Sequence, residues 1–319
     1  MQNEIEEILK IPVTHEMGVK TDAEKNSIGH VVKAYTPIVI LSIIWGMAFV
    51  AIKSLEPVLT PVNLTLLRWF IAGGAFLVLA PYAGRLKQKF DIRDLPRFLV
   101  IAFANVVSYN LTLNYSENSI SAGLAVLLVM LGSVFIALFS WIFQGERHGK
   151  WIIFSLILAF TGLSILTFGS QMSSGTNTLP GILEVIGTAL SFAVFTILSR
   201  PLIQKYGAAP FAIWVGLAGT AMLVPLVSGS FFTQVEALSL QSLAAVLYLS
   251  LLSTVAGYMI FYSLVKRGTV TRLAIQLYLV PLVGVIGGMF FLSETISVYT
   301  MLGGAALVVA VTLSTIRAR

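Results

Sequence analysis

Residues 37–55, PIVILSIIWGMAFVAIKSL, form an apolar run whose single charged residue, Lys53, lies near its end. A helix that crosses a bilayer needs roughly 20 mainly apolar residues at a rise of 1.5 Å each, so this run predicts a transmembrane helix. Nine similar segments follow it, at 62–81, 95–115, 119–143, 151–169, 179–199, 209–228, 241–264, 271–292 and 298–316. The sequence therefore predicts an all-α polytopic membrane protein with ten transmembrane helices.

The overall composition agrees with a membrane protein and excludes several other classes. Of 319 residues, 57% are hydrophobic and 11% are charged, whereas soluble proteins average about half and about a quarter. The chain has no cysteine, so it can form neither a disulfide nor a thiolate metal site. Every histidine and aspartate lies in the N-terminal tail or in a loop. We therefore expect no enzymatic activity, no cofactor and no metal.

The net charge of +6 does not indicate a nucleic-acid partner, because the basic residues are sorted among the loops. All 20 lysines and arginines except Lys53 and Arg68 lie in the tail, in loops after even-numbered segments or at the C-terminus. Basic loops remain cytoplasmic in membrane proteins. The pattern predicts a protein of the cytoplasmic membrane with both termini inside. Residues 1–36 would form a cytoplasmic tail, disordered or lying on the membrane surface.

Similar positions recur in segments that are five apart. A displacement of 149 residues aligns Pro61 with Pro210, Tyr109 with Tyr258 and Ala125 with Ala274, and a displacement of 148 aligns Phe143-x-x-Glu146 with Phe291-x-x-Glu294. Because five is odd, the second half must enter the membrane from the opposite side, which gives the inverted repeat of secondary transporters. The predicted parts are a first five-helix repeat at 37–169, an external loop at 170–178 and a second, inverted five-helix repeat at 179–319. Chance similarity among apolar helices is the alternative.

Several short motifs carry a family resemblance: the nonapeptide WGMAFVAIK at 45–53, Arg68, the two Phe-x-x-Glu motifs, and Leu279-Val280-Pro281. With these residues the sequence resembles the drug/metabolite transporter superfamily, specifically its ten-helix EamA-like members, over about residues 37–316. The resemblance implies a transporter, frequently an exporter, of amino acids or other small metabolites. It also implies that segments one to four and six to nine enclose a central cavity, with segments five and ten outside it.

Two ionisable residues, Arg68 and Glu184, lie within predicted helices. Such a group is costly in lipid unless it is paired or hydrated. Both lie roughly 8 to 10 Å below the predicted outer boundary at 1.5 Å per residue, a depth that would allow an ion pair. Such an ion pair could serve merely to fasten the two halves together, or it could take part in substrate binding or gating. Glu184 appears as the sole buried carboxylate and would carry any proton coupling, which a facilitator does not need.

Polar residues at helical spacing mark two faces, one with Asn105, Ser108, Tyr109 and Thr112 and one with Glu184, Gly187, Thr188 and Ser191. The eighth segment offers Ser250, Thr254 and Tyr258 at intervals of four. Such faces must turn away from lipid, toward a cavity or toward another helix. The predicted substrate-binding residues are Trp45, Asn105, Tyr109, Glu184, Tyr258, Gln276 and Tyr278, and the predicted gating or ion-pair residues are Arg68, Glu184 and Pro281. Pro281 would let its helix bend. Glu146 and Glu294 lie at helix ends, where capping or loop anchoring is expected.

These patterns predict a secondary transporter, an exporter or a facilitator, that moves small metabolites such as amino acids by alternating access. Its partners would be a small-molecule substrate and the lipid bilayer, with protons left open, and it would be a monomer or a homodimer. The alternative is a membrane receptor or scaffold that transports nothing. Hydropathy does not separate the two classes, but a receptor has no need of an inverted repeat.

Overall fold

The computed structural model describes residues 22–83, 90–144, 151–173, 178–267 and 270–316. Side chains are described within these ranges except at 22–34, 82–83, 143–144, 151–152, 167–173, 267, 270–278 and 314–316. The chain divides into two units, Met1–Thr36 and Pro37–Arg319. Throughout the described ranges the regular structure is helical, and no strand occurs.

The helices are numbered here in chain order. They are α1 Asp22–Leu55, α2 Pro61–Ala83, α3 Ile92–Glu117, α4 Ala122–Ile142, α5 Trp151–Ser173, α6 Leu179–Tyr206, α7 Ala208–Leu223, α8 Gly229–Glu236, α9 Leu240–Lys266, α10 Val270–Leu292 and α11 Val298–Ile316. We refer to α1–α5 as the first half and to α6–α11 as the second half.

Seven of these helices, α1–α4, α6, α7 and α9, are long and apolar enough to cross a membrane over their described residues. Shorter apolar stretches occur in α5, α10 and α11, at Ile153–Leu166, Leu279–Leu292 and Val298–Leu313. The short helix α8 joins α7 to α9. The bundle is thus built from apolar helices, as the runs in the sequence predict.

The first helix begins earlier than its apolar segment. The segment begins at Pro37, whereas the backbone of α1 is already helical at Asp22. The sequence predicts a tail there that is disordered or lies on the membrane surface; residues 22–36 are helical, so they are not disordered, and a position on the membrane surface stays a prediction. Propagation of an existing helix is cheap once its first turn has formed, so an apolar helix can continue into polar residues.

Two helices contain an internal π-helical segment, Phe103–Ser108 in α3 and Tyr248–Ala256 in α9. In α3, the side-chain amide of Asn110 donates to the backbone oxygens of Asn105 (2.9 Å) and Val106 (3.0 Å). In α9, the hydroxyl of Thr254 donates to the oxygen of Leu249 (2.8 Å). These side chains occupy carbonyls that the wider turns release. One segment lies in the first half and the other in the second half.

The two halves contact each other through closely packed helices. α3 and α7 approach so closely that a Cβ on Gly219 would lie 2.3 Å from the Cβ of Val106. α5 and α11 meet backbone to backbone, where a Cβ on Gly162 would lie 2.9 Å from the carbonyl oxygen of Gly303. Small residues allow such approaches between membrane helices. These close contacts fix which faces of the helices turn inward, and they therefore position the polar residues inside the bundle.

Candidate substrate site

Arg68 lies on α2 and is 4% exposed. Its Nε donates to Oγ1 of Thr254 (2.7 Å), and its Nη2 donates to Oγ of Ser253 (3.3 Å). Both acceptors belong to the π-helical segment of α9, whose altered turn brings two hydroxyls to the guanidinium. No carboxylate pairs with Arg68 among the described residues. The cation is therefore held by neutral oxygens alone.

The predicted ion pair between Arg68 and Glu184 does not form. Glu184 is only partly buried on α6, and its backbone oxygen accepts a hydrogen bond from the Thr188 hydroxyl (3.2 Å). Counting residues along each helix places Arg68 and Glu184 at a similar depth in the membrane, but the Arg68 side chain turns toward α9. Counting residues along a helix gives the depth of a side chain in the membrane. The direction in which that side chain points around the helix axis depends on how the helix packs.

An aromatic cluster adjoins Arg68. Trp45 donates its indole N–H to the backbone oxygen of Ser253 (3.1 Å), the residue whose hydroxyl also binds Arg68. The Trp45 ring lies 5.6 Å from the ring of Tyr258 and 5.2 Å from that of Phe261. Trp69, which follows Arg68, lies 6.1 Å from Tyr258. Rings from α1, α2 and α9 thus stand beside the buried guanidinium.

Asn105 and Tyr109 extend the cluster from α3. The Asn105 amide donates to the hydroxyl of Tyr262 (2.9 Å), and the Tyr262 ring stacks on Tyr258 at 5.7 Å. The amide oxygen Oδ1 of Asn105 is buried and has no hydrogen-bond partner in the described part of the chain. Tyr109 packs 6.1 Å from Phe195 of α6. Of the predicted binding residues, the structure brings Trp45, Asn105, Tyr109 and Tyr258 together around Arg68.

The other predicted binding and gating residues do not join this cluster. Glu184 does not contact Arg68, as described above. The side chains of Gln276 and Tyr278 lie outside the described residues. Pro281 is buried, and α10 is helical on both sides of it. The bend predicted at Pro281 therefore remains a prediction.

The two polar faces predicted from helical spacing meet each other. The hydroxyls of Ser108 and Ser191 are 2.7 Å apart, and those of Thr112 and Thr188 are 2.8 Å apart. Each pair joins α3 of the first half to α6 of the second half. These four residues fasten helices, which is the packing alternative that the sequence left open.

Glu294 fastens α10 to α4 at one end of the bundle. After α10 ends at Leu292, Ser293 adopts a φ of 54° and the N–H of Glu294 returns to the oxygen of Gly288 (3.1 Å). The Glu294 carboxylate then accepts from the backbone N–H groups of Ala122 (2.7 Å) and Gly123 (2.9 Å).

These two donors are among the first N–H groups of α4, which have no acceptor within the helix and favour an anion. The capping role predicted for Glu294 is confirmed. Glu146, the corresponding residue of the first half, lies outside the described residues.

Glu117 lies at the same end and was missed from the sequence. It is the last residue of α3 and is 1% exposed, and neither carboxyl oxygen has a hydrogen-bond partner in the described structure. Lys53 donates to its backbone oxygen (2.5 Å) and pairs with the Glu56 carboxylate (2.6 Å). The expectation that Glu184 is the sole buried carboxylate is therefore wrong. We call the end with Lys53, Glu117 and Glu294 the Glu117 end.

The opposite end of α3 is fastened to α6 by a charged cluster. Lys205 contacts the carboxylates of Asp91 (3.3 Å) and Asp94 (2.7 Å), and the Tyr206 hydroxyl donates to Asp94 (2.6 Å). Tyr206 is buried, with the Trp214 ring 5.1 Å away. We call the end that carries Asp91, Asp94 and Lys205 the Lys205 end. The two halves are thus joined at both ends of the bundle.

A small apolar cavity of about 20 Å³ lies away from these residues, between α4, α5 and α6. Its walls are the hydrocarbon side chains of Leu131, Val134, Phe135, Leu156, Ala159, Phe160, Leu163 and Ile186. A polar solute would lose its hydration there and gain no hydrogen bond. The candidate substrate site is therefore the cluster around Arg68.

Comparison with known proteins gives consistent relatives. The model of the EamA-like transporter family matches residues 32–168 and again residues 179–316. An uncharacterized transporter of Archaeoglobus fulgidus is 27% identical over 267 residues, which is 84% of this chain and 93% of the relative. A protein of Streptantibioticus cattleyicolor, named a probable terminal-alkyne amino-acid exporter, is 27% identical over 273 residues, or 86% of this chain and 90% of its own.

A solved crystal structure of a protein shares the fold. It has a TM-score of 0.60 and 19% sequence identity, covering 90% of this chain and 98% of that one. At this identity the likeness concerns the fold alone. The family match, the named relatives and the apolar helices together describe a multi-pass membrane transporter, and transporters of this kind are not enzymes.

Proposed function

The chain belongs to the EamA-like transporter family, and from that premise we propose that it carries small zwitterionic metabolites such as amino acids across the cytoplasmic membrane by alternating access. The substrate would bind in the aromatic cluster around Arg68. The two halves would rock about this site and open it to one side at a time. The loop charges favour an arrangement in which both termini and the Lys205 end are cytoplasmic and the Glu117 end is external.

The helix lengths support ten spans arranged as two inverted halves. The backbone of α5 and of α10 is helical over 23 residues each, and that of α11 over 19. At 1.5 Å per residue these lengths approach the roughly 30 Å of a bilayer core. With the seven longer apolar helices they make ten. The π-helical segments in α3 and α9, and the two separate matches to one family model, support a repeat of five.

The observation that carries the proposal is the unpaired guanidinium of Arg68. A buried charge is stable only when it is paired or well hydrogen-bonded. Among the residues with described side chains, Arg68 uses two of its five N–H donors, both on hydroxyls, so a substrate carboxylate could bind the donors that remain. Arginine binds carboxylates through two parallel hydrogen bonds. The guanidinium therefore favours a substrate that carries a carboxylate.

The surrounding groups favour the rest of a zwitterion. The free Oδ1 of Asn105 can accept from a substrate ammonium, and the rings of Trp45 and Tyr258 can enclose an apolar side chain or stack against a cation. The printed name of the S. cattleyicolor relative, a probable amino-acid exporter, points to the same class of solute.

Alternating access requires contacts between the halves that can break. At the Glu117 end, the contact is the pair of charge-assisted bonds from Glu294, worth about 2 kcal/mol together at a helix N-terminus. At the Lys205 end, the exposed ammonium of Lys205 pairs with Asp91 and Asp94, and ion pairs that water can reach contribute little. The Tyr206 hydroxyl bond to Asp94 adds one further contact that must break at this end. The structure has both ends fastened, which corresponds to an occluded form.

The substrate class can be tested on the purified protein by thermal stabilisation, since a ligand that binds only the folded protein raises its unfolding temperature increasingly as the ligand concentration exceeds Kd. We expect some amino acids to stabilise the native protein and their carboxamide derivatives to do so much less, because the amide lacks the negative charge that Arg68 would bind. Arg68→Gln should abolish the stabilisation, and Arg68→Lys should retain only part of it.

Arg200→Gln serves as the matched control, because it removes an exposed arginine of α6 and should behave like the native protein. Equal stabilisation by acids and amides, or full stabilisation in Arg68→Gln, would contradict the proposed carboxylate site. Flux is a separate measurement: exchange of a labelled solute into proteoliposomes distinguishes a transporter from a receptor that only binds.

A further inference from the structure

A buried acid at the Glu117 end has no place in the substrate site. Glu117 is 1% exposed, and both of its carboxyl oxygens lie without a hydrogen-bond partner in the described structure. Its position at the last residue of α3 places it beside the start of α4, where Glu294 fastens the two halves. It is therefore a titratable group located at a contact that must open during alternating access.

The charged groups around Glu117 are already engaged with other partners. They are Lys53, Glu294, Glu56 and Arg68, two of each sign. Lys53 pairs with Glu56 and donates to the backbone of Glu117, Glu294 accepts from the α4 N-terminus, and Arg68 donates to α9. The helices packed alongside add little: α4 carries no charged residue from Ala122 to Ile142, and α6 carries Glu184 as its one charge in this half of the span.

An ionised carboxylate in this position would be buried without a counter-ion or a donor, which is far more costly than burying the neutral acid. We propose that Glu117 is a proton-binding site: it holds a proton while the Glu117 end is closed and releases that proton to water when the end opens. The inference rests on the proposed alternating access for the opening step.

The open state can stabilise the carboxylate that remains. In the closed form the Lys53 ammonium is held by Glu56 and by the backbone oxygen of Glu117; once water enters and solvates Glu56, Lys53 is free to pair with the ionised carboxylate of Glu117. Release of Glu294 from α4 would also admit water. Each closing event therefore takes up one proton onto a Glu117 carboxyl oxygen, and each opening returns it to the medium on that side.

The direction of the pH effect follows from this proton balance. Because the closed form binds one more proton than the open form, acid favours closure and alkali favours opening at the Glu117 end. Over the range in which Glu117 loses its proton, the open-to-closed ratio should rise about tenfold per pH unit, since one proton is exchanged. No transported solute is required for this effect.

The experiment uses the absence of cysteine in the native chain. Ser116→Cys places a reporter thiol next to Glu117, at a residue that is 0% exposed in the closed form. The protein is reconstituted in liposomes, and its labelling by a membrane-impermeant thiol reagent is measured against the pH outside. Rates are divided by those of free cysteine at each pH, which removes the ordinary effect of thiol ionisation.

We expect corrected labelling to rise with pH in the reporter protein. Adding Glu117→Gln, which resembles the neutral acid, should make labelling slow at every pH. Adding Glu236→Gln, which removes an exposed carboxylate of α8, should leave the pH profile unchanged. A second reporter at the buried Thr65 of α2 checks that the profile is not particular to position 116.

Corrected labelling that is independent of pH in the Ser116→Cys protein overturns the proposal, and so does an unchanged pH profile after Glu117→Gln. The measurement on the Ser116→Cys protein needs no Glu117 variant, so the proposal can be rejected even if Glu117→Gln fails to fold. Solute flux with pH-independent labelling would reject the proton site alone. Labelling that depends on pH, without flux for any solute, would reject the transport function alone.

Discussion

The contact between Glu294 and the start of α4 yields the most quantitative prediction. Glu294→Ala removes both carboxylate bonds, to the N–H groups of Ala122 (2.7 Å) and Gly123 (2.9 Å). In the closed form these two donors then lose their anionic partner, whereas an opened end would have released it anyway. We expect the substitution to shift the protein toward forms in which the Glu117 end is open.

The size of the shift follows from the geometry. An anion that caps a helix N-terminus contributes about 0.5 to 2 kcal/mol, and Glu294 occupies two donors at once, so we take about 2 kcal/mol. Since about 1.4 kcal/mol corresponds to a factor of ten, the open-to-closed ratio should rise about 30-fold. Glu294→Gln keeps one acceptor oxygen and loses the charge, so about 1 kcal/mol and a roughly fivefold rise are expected.

The assay is the labelling rate of the Ser116→Cys reporter at one fixed pH, compared among Glu294→Ala, Glu294→Gln and the parent. Glu236→Ala is the control, because it removes a carboxylate that is exposed on α8. The reasoning is refuted if Glu294→Ala is labelled no faster than the parent. It is equally refuted if the control accelerates labelling as much, since the effect would then come from lost surface charge.

Two further predictions concern other contacts between the halves. Gly219→Ala should lower the apparent unfolding temperature, at a cost of about 1 to 3 kcal/mol from overpacking against Val106. The Cβ of Val106 is itself a clashing atom, so the cost of Gly219→Ala should shrink in a Val106→Gly background, and an equal cost there would place the strain elsewhere. Lys205→Met should raise labelling of a Ser199→Cys reporter only slightly, because ion pairs that water can reach contribute little. The difference should vanish in high salt, and a large salt-insensitive effect would contradict this account.

Hydropathy predicted the apolar helices because lipid requires long apolar segments with satisfied backbones. It did not predict where helices end. α1 begins at Asp22, before its apolar run, and α3 continues to Glu117, beyond the segment predicted at 95–115. Glu117 lies two residues beyond the apolar run at 95–115, so hydropathy places it in a loop and gives no sign that it is buried. Extending each segment by one turn would have included it.

Side-chain direction was the second limit. Spacing showed that Ser108 and Thr112 share one face and that Thr188 and Ser191 share another, and the structure joins these faces. Spacing did not show that Arg68 turns toward α9, because the π-helical segment that supplies its hydroxyl partners has no hydropathy signature. The aromatic residues of the site were recognised as candidates, while the arrangement that isolates the guanidinium from Glu184 depended on tertiary packing.

The backbone contact between Gly162 of α5 and Gly303 of α11 has a mechanical consequence. Helices that touch at their backbones cannot move closer, and sliding would drive a neighbouring side chain such as Leu166 into the opposing chain. Rotation about the point of contact is the freedom that remains. When two helices tilt about such a contact, their ends move in opposite directions on its two sides. Widening the bundle at one end therefore narrows it at the other, and the substrate site between the ends need not transmit the change.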